Sequence, residues 1–285
     1  MNPITTPEWV LKVDGLGKVF GPFTDESIAK TGSDRGTSKD PTTGSIVAAW
    51  DVSFEVAAGE ALGVVGESGS GKSTVMRCIA GDQSTSVGSV HLRTIDGGNT
   101  NILNMSASAR RQLRIDQIAV VYQDPAEGLD LRVTAGGNIA APLTAAGLRN
   151  FGAIRHRASE LLSRTEVPLN RMDDLVRAFS GGMRQRLQIA RNMVTKPCLV
   201  FMDEPTGGLD VSVQARLLDL IRGLVAQTGL SIVIVTHDLA VARLLSHRIA
   251  VMRQGRIVEI GLADQVLEDP QDPYTQLLVS SVLQV

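Results

Sequence analysis

The run Gly66-Glu-Ser-Gly-Ser-Gly71-Lys72-Ser73 constrains what this chain can fold into more than any other feature. Its spacing is G-x-x-x-x-G-K-[ST], and it lies between the continuous apolar stretch Ala61–Val65 and a helical pattern from about Ser73 to Ala80. Glycines at these positions let the backbone wrap an anion, so that consecutive N–H groups and a helix N-terminus meet a phosphate. Lys72 is expected to reach β- and γ-phosphates, and the Ser73 hydroxyl to ligate Mg2+.

The surrounding pattern agrees with such a loop. Residues 10–20 and 50–56 alternate apolar and polar, as half-buried strands do, and residues 87–95 read as another strand. Residues 118–122, 198–202 and 231–235 are short continuous apolar runs, which suit strands covered on both faces. Residues 249–260 read as a hairpin turning at Gln254-Gly255. From about 125 to 195 the periodicity is helical, notably over 153–165 and 182–194. The expected fold class is α/β: a parallel-sheet core with an antiparallel β subdomain and an inserted helical subdomain. The polar stretch 24–45 has no aromatics and is rich in Gly, Ser and Thr, and is expected to be a mobile surface insertion.

Three strand ends carry candidate chemistry. Asp203 and Glu204 follow the apolar strand that starts at Cys198. A carboxylate there suits an Mg2+ water shell, and the next one suits a base that orients an attacking water. His237, at the end of the 231–235 strand, is expected at the same crevice, where open α/β sheets bind ligands. Gln123 closes the 118–122 strand; taken alone it is only a polar strand end. A further helix start, Ser180-Gly181-Gly182-Met183, has a capping serine and two glycines that expose backbone N–H groups. A second anion-binding helix start is surplus to one nucleotide unless it serves another.

Taken together in this order, these motifs resemble the ATP-binding-cassette ATPases over nearly the whole chain. The resemblance implies that Gly66, Glu67, Ser68, Gly69, Ser70, Gly71, Lys72, Ser73 and Thr74 cradle ATP. It implies that Ser73, Gln123 and Asp203 hold Mg2+, and that Glu204, His237 and Gln123 serve hydrolysis. Ser180, Gly181, Gly182 and Met183 would serve a partner subunit's ATP in a head-to-tail dimer, and Asp210 of the Gly207–Asp210 loop would also bind nucleotide. That dimer would be a homodimer or a pairing with a related subunit. Phe20 is the best match for an aromatic stacking on adenine, with a core position as the other reading. Two departures are visible: Met183 stands where many members have glutamine, and Gly207-Gly208 replaces the more usual Ser-Ala. Residues 9–270 would form the ATPase domain and 271–285 a helical tail, with Tyr274, Leu277, Leu278 and Val282 on one face.

The tail DPYTQLLVSSVLQ resembles the dipeptide and oligopeptide importer branch, whereas EGLDLRVTAGGNIA, FSGGMRQRLQIARN and the GGLD loop narrow the resemblance further. They are similar to the ATP-binding subunit of the carbon–phosphorus lyase system, a relative of dipeptide and oligopeptide importer ATPases. The implied partners are soluble lyase core subunits, or in the alternative transmembrane permease subunits. A non-hydrolysing clamp is disfavoured by the intact Glu204 and His237.

Composition adds exclusions. The formal net charge of −2 gives no reason to expect a nucleic acid partner, and the basic cluster Arg110-Arg111 with Arg114 reads as a solvated helix face. Two cysteines far apart, Cys78 and Cys198, suit buried thiols in a reducing compartment. The first ten residues lack the pattern of a secretory signal, and no apolar run reaches membrane-spanning length. A cytoplasmic protein is expected.

Overall fold

The two alternating segments near the start of the chain pair with each other. In the computed structural model, which describes residues 8–282, β1 (Trp9–Phe20) runs antiparallel to β2 (Ile46–Ala57), with Val13 opposite Phe54 and Phe20 opposite Ile46. Residues 1–7 and 283–285 lie outside the described residues, and with them most of the region read for a signal and the end of the expected tail. The short helix α1 (Asp25–Ala29) lies between β1 and β2; β3 (Ala61–Val65), α2 (Lys72–Ile79) and β4 (Val87–Leu92) follow. Next come α3 (Ala107–Asp116), β5 (Ile118–Val121), α4 (Pro125–Gly128), α5 (Ala135–Ala145), α6 (Phe151–Arg164) and α7 (Gly181–Met193). After them run β6 (Leu199–Asp203), α8 (Val211–Thr228), β7 (Ser231–Thr236), α9 (Leu239–Leu245), β8 (Arg248–Arg253) and β9 (Arg256–Leu262). The described course ends with α10 (Ala263–Glu268) and α11 (Pro273–Val282).

The chain divides into two compact units, one made of the described residues through Ser106 and those from Ser231 onward, the other of Ala107–Leu230. In the first, β1 lies between β2 and β4 in an antiparallel sheet, while β3 lies parallel to both β7 and β8. Every residue of β3 and β7 is buried, which explains why these strands read as unbroken apolar runs. The β8–β9 hairpin turns through Gln254 and Gly255, both at positive φ, as a two-residue turn matched to strand twist requires. In the second unit, β5 runs parallel to β6 with Val121 opposite Met202. Ile139, Leu143, Leu162 and Leu187 form the heart of its helical core. Thr134, Asn150, Ser180 and Asp210 each accept a hydrogen bond from an N–H three residues on, so helix starts here are set by side-chain caps.

The stretch 24–45 has structure of its own. Thr24 caps α1, Gly32 and Thr37 form a bridge, and Lys39 bridges to Ile46. At its centre Asp40, 1% exposed, accepts hydrogen bonds from the Ser27 hydroxyl at 2.9 Å, the Thr43 hydroxyl at 2.6 Å and the Thr42 N–H at 2.9 Å. Those bonds, led by Thr43, hold the carboxyl well below its usual range, at about 2. Of the expected tail face, Tyr274 and Leu278 pack into the core with Val266 and Leu277 is 65% exposed, while the Val282 side chain lies outside the described residues. Positions 274 and 278 are one turn apart, and 277 turns away from them.

Candidate functional site

In the first unit the phosphate loop leaves the buried end of β3 at Gly66. Its φ is +148°, and a Cβ there would collide with the Met252 carbonyl oxygen of β8. At the far end Gly71, with φ of +104°, meets the Ala48 carbonyl oxygen of β2 in the same way. Glycine is required at both ends because backbone packs on backbone. The Gly255 N–H donates to the Ser70 carbonyl, and the Gly255 carbonyl accepts from the Trp50 N–H, both at 2.9 Å. The hairpin tip is thereby wedged between loop and sheet.

The loop delivers the chain to α2, whose cap residue Gly71 supplies no side-chain bond and whose first turn holds no acid. The opening N–H groups of this helix are therefore presented without a competing carboxylate, the arrangement that attracts an anion. Lys72, 6% exposed, donates from Nζ to the carbonyls of Gly66 and Glu67 at 2.8 Å each. Its ammonium thus lies across the loop whose amides would meet a phosphate. Ser73 and Thr74 occupy the same first turn.

His237 belongs to this unit as well. Thr236 is paired with Val65, so Gly66 and His237 leave one edge of the same strand pair side by side. His237 is exposed, while Asp238 caps α9 by accepting from Ala240 and Val241. Phe20 ends β1 at 39% exposure with the Lys18 ammonium 4.9 Å from its ring centre. It is a surface aromatic, which sets aside the core reading.

The second unit gathers the other candidates. Asp203 is the last residue of β6 and 4% exposed. Glu204 follows at φ of +44°, a conformation unfavourable for a residue with a side chain and held by its surroundings. The Gly207 N–H donates to the Glu204 carbonyl at 2.9 Å. A Cβ on Gly207 would stand 3.3 Å from Gln123 Nε2, so Gly207 lies against the Gln123 amide. Gln123, Glu204 and Gly207 are thus brought together.

Ser180 caps α7 by accepting from the Met183 N–H at 3.3 Å. A Cβ on Gly182 would stand 2.8 Å from Val213, so the starts of α7 and α8 lie against each other. Asp210 caps α8, accepting from the Ser212 hydroxyl at 2.8 Å and the Val213 N–H at 3.0 Å. Those bonds, Ser212 first, lower its pKa.

One group of residues was not legible from motif spacing. The side chain of Gln188, fully buried on α7, donates to the Tyr122 carbonyl at 3.1 Å and accepts from the Tyr122 N–H. Gln185 adds a longer bond of 3.5 Å to the same carbonyl. The helix that begins at Ser180 therefore holds the backbone immediately before Gln123. Two glutamines on the inner face of an amphipathic helix were the available signal.

The chain is similar to known proteins over most of its length. The ABC transporter family matches residues 50–207. The Escherichia coli (strain K12) protein PhnK, named for phosphonates utilization and ATP binding, is 58% identical over 234 residues, covering 82% of this chain and 91% of that protein. The Haemophilus influenzae dipeptide transport ATP-binding protein DppD is 38% identical over 81% of this chain and 70% of its own. Among solved structures, the dimeric post-hydrolysis state of the ATP-binding cassette MJ0796 with ADP and Pi matches at a TM-score of 0.73. It is 26% identical over 89% of this chain and 98% of that one.

Proposed function

The chain belongs to the ABC transporter family, and on that premise we propose that it is the ATPase subunit of a soluble carbon–phosphorus lyase complex, which it remodels during organic phosphonate breakdown. It is an ATPase, converting ATP and water to ADP and phosphate. The observation that carries the finer reading is the 58% identity to PhnK, against 38% to the dipeptide transport protein.

On this reading Lys72 and the amides of the phosphate loop neutralise the β- and γ-phosphates. Ser73, Gln123 and Asp203 can each offer a hard oxygen donor, and among the described residues no cluster of three His, Cys, Asp or Glu could cage a metal. That donor set fits Mg2+ arriving with the phosphates and keeping several waters. Bound there, Mg2+ would offset charge on the phosphate oxygens. Glu204 takes the proton of the attacking water or orients it, Gln123 serves both the metal and the hydrolysis, and His237 contacts the γ-phosphate.

The start of α7 serves a second nucleotide, carried by a second copy or a related ABC subunit, so that two ATPs are sandwiched head to tail. A ligand at about a hundred times its dissociation constant stabilises the bound state by roughly 2.7 kcal/mol, so two would supply roughly 5 kcal/mol. That is enough to switch a two-state element. ATP is on this reading a conformational switch for a cytoplasmic complex, and the lyase chemistry belongs to other subunits.

A second reading, the motor of a peptide-type importer, draws on the similarity to DppD. Among the described residues no helix is long and apolar enough to cross a membrane, so that role needs a permease partner. Trapping Glu204→Gln with Mg-ATP in native extract and identifying what co-purifies separates the two. Recovery of soluble lyase subunits is expected; recovery of integral permease subunits would replace the lyase reading with the importer one.

A further inference from the structure

Tyr274 lies far from the phosphate loop in sequence, yet its hydroxyl touches it. The hydroxyl accepts a 3.1 Å hydrogen bond from the Glu67 N–H, at the entry to the loop. The side chain is 5% exposed and packs with Val65, Leu239 and Val251, and the Arg253 guanidinium lies 4.8 Å from its ring centre. Burial pushes the phenol's pKa up, so the hydroxyl stays neutral at physiological pH.

The bond matters because of which peptide it grips. Glu67 N–H and Gly66 C=O belong to the same planar peptide group. Tyr274 holds the N–H side of that plane, and Lys72 Nζ donates to the C=O side at 2.8 Å. The plane cannot rotate without disturbing both, so its orientation is shared between the C-terminal helix and the phosphate-binding lysine.

The tyrosine is itself held in place. The Glu259 carboxylate on β9 accepts from the N–H groups of Gln271 at 2.9 Å and Asp272 at 3.0 Å. The Asp272 carboxylate in turn accepts from the N–H groups of Tyr274 at 2.8 Å and Thr275 at 3.3 Å, with Pro273 opening α11 between them. A continuous series of hydrogen bonds thus runs from β9 through the turn at 271–272 to the loop.

We propose that Tyr274 is a positioning residue of the nucleotide site, through which the C-terminal helix sets the binding-competent conformation of the phosphate loop. The inference rests on the reading of that loop as an ATP site. Without the hydroxyl, the 66–67 peptide would sample other orientations, and apparent affinity would fall in proportion to the competent fraction. Saturating nucleotide would restore the loop, so turnover at saturation would change little.

The test is Tyr274→Phe, which keeps the ring and its packing and removes only the hydroxyl. Titration with a fluorescent ATP analogue and steady-state ATPase assays would be run beside the wild type and Lys72→Ala. Loss of one hydrogen bond predicts a Kd and KM about tenfold higher, with kcat within about twofold. Glu259→Gln, which loosens the turn, should shift Kd the same way by less. Its effect should largely vanish in the Tyr274→Phe background, as members of one series do. If Lys72→Ala loses nucleotide while both variants bind within about twofold of wild type, whatever their melting temperatures, the inference is overturned and the ATP site stands. If Lys72→Ala binds normally, the ATP-site reading falls and takes the inference with it. Should Tyr274→Phe fail to fold, Glu259→Gln decides alone.

Discussion

Gln188 grips Tyr122 by both backbone groups, donating to its carbonyl at 3.1 Å and accepting from its N–H. Gln123, the next residue, is thereby tethered to the middle of α7. Gln188→Leu removes one hydrogen bond from each of the two peptides that flank Tyr122, a loss of about 1–3 kcal/mol in a half-buried setting. The expected outcome is a lower melting temperature together with a kcat reduced about tenfold or more, since small misplacements of catalytic groups are costly. A stable variant with wild-type turnover would show that Gln123 needs no such anchor.

Lys72 has a narrower role. Its Nζ donates to the carbonyls of Gly66 and Glu67, and on the proposed function it meets the phosphate oxygens of ATP. Lys72→Ala should weaken ATP binding by about 10- to 100-fold, the worth of charge-assisted bonds. Equilibrium titration checks this, and unchanged affinity would contradict the phosphate-loop assignment.

Asp40 makes a prediction in pH. Its folded-state value of about 2 lies below the ordinary 3.8. A depressed value means stabilisation that is complete above the unfolded pKa and lost as pH falls through the folded one. Between about pH 4 and pH 2 the wild type should therefore lose stability that Asp40→Asn lacks already at pH 7. Melting temperatures measured by circular dichroism across that range should converge for the two proteins at the acid end; parallel curves would show that Asp40 is not the titrating group.

The contrast between Asp40 and the phosphate loop shows what could be read in advance. A buried strand, a glycine turn and a helix start are contiguous and leave a local pattern, so residues 61–80 were legible from spacing alone. The buried runs at 118–121, 199–203 and 231–236 were legible for the same reason. The 24–45 stretch reads as loop because its fold depends on one carboxylate satisfied by hydroxyls up to thirteen residues away, which no periodicity records. Gln188 and Tyr274 were illegible as site residues because their partners lie 66 and 207 positions distant. The positive φ of Glu204 follows from its surroundings and has no signature of its own. Helix α5, carrying Gly136, Gly137 and Pro142, forms despite poor propensity because Ile139 and Leu143 are buried in the helical core.

The two-nucleotide switch is tested most directly by the mass of Glu204→Gln in Mg-ATP. Loss of a positioned base should slow hydrolysis by about 10²–10⁴-fold while ATP still binds, so the closed state accumulates. Light scattering should then give twice the 30.4 kDa chain mass with ATP and the monomer mass with ADP. Replacing Ser180 with arginine in the same background should abolish the ATP-driven dimer while leaving ATP bound to the monomer. A Glu204→Gln protein that binds Mg-ATP and still scatters as a 30.4 kDa monomer would contradict the shared-nucleotide homodimer.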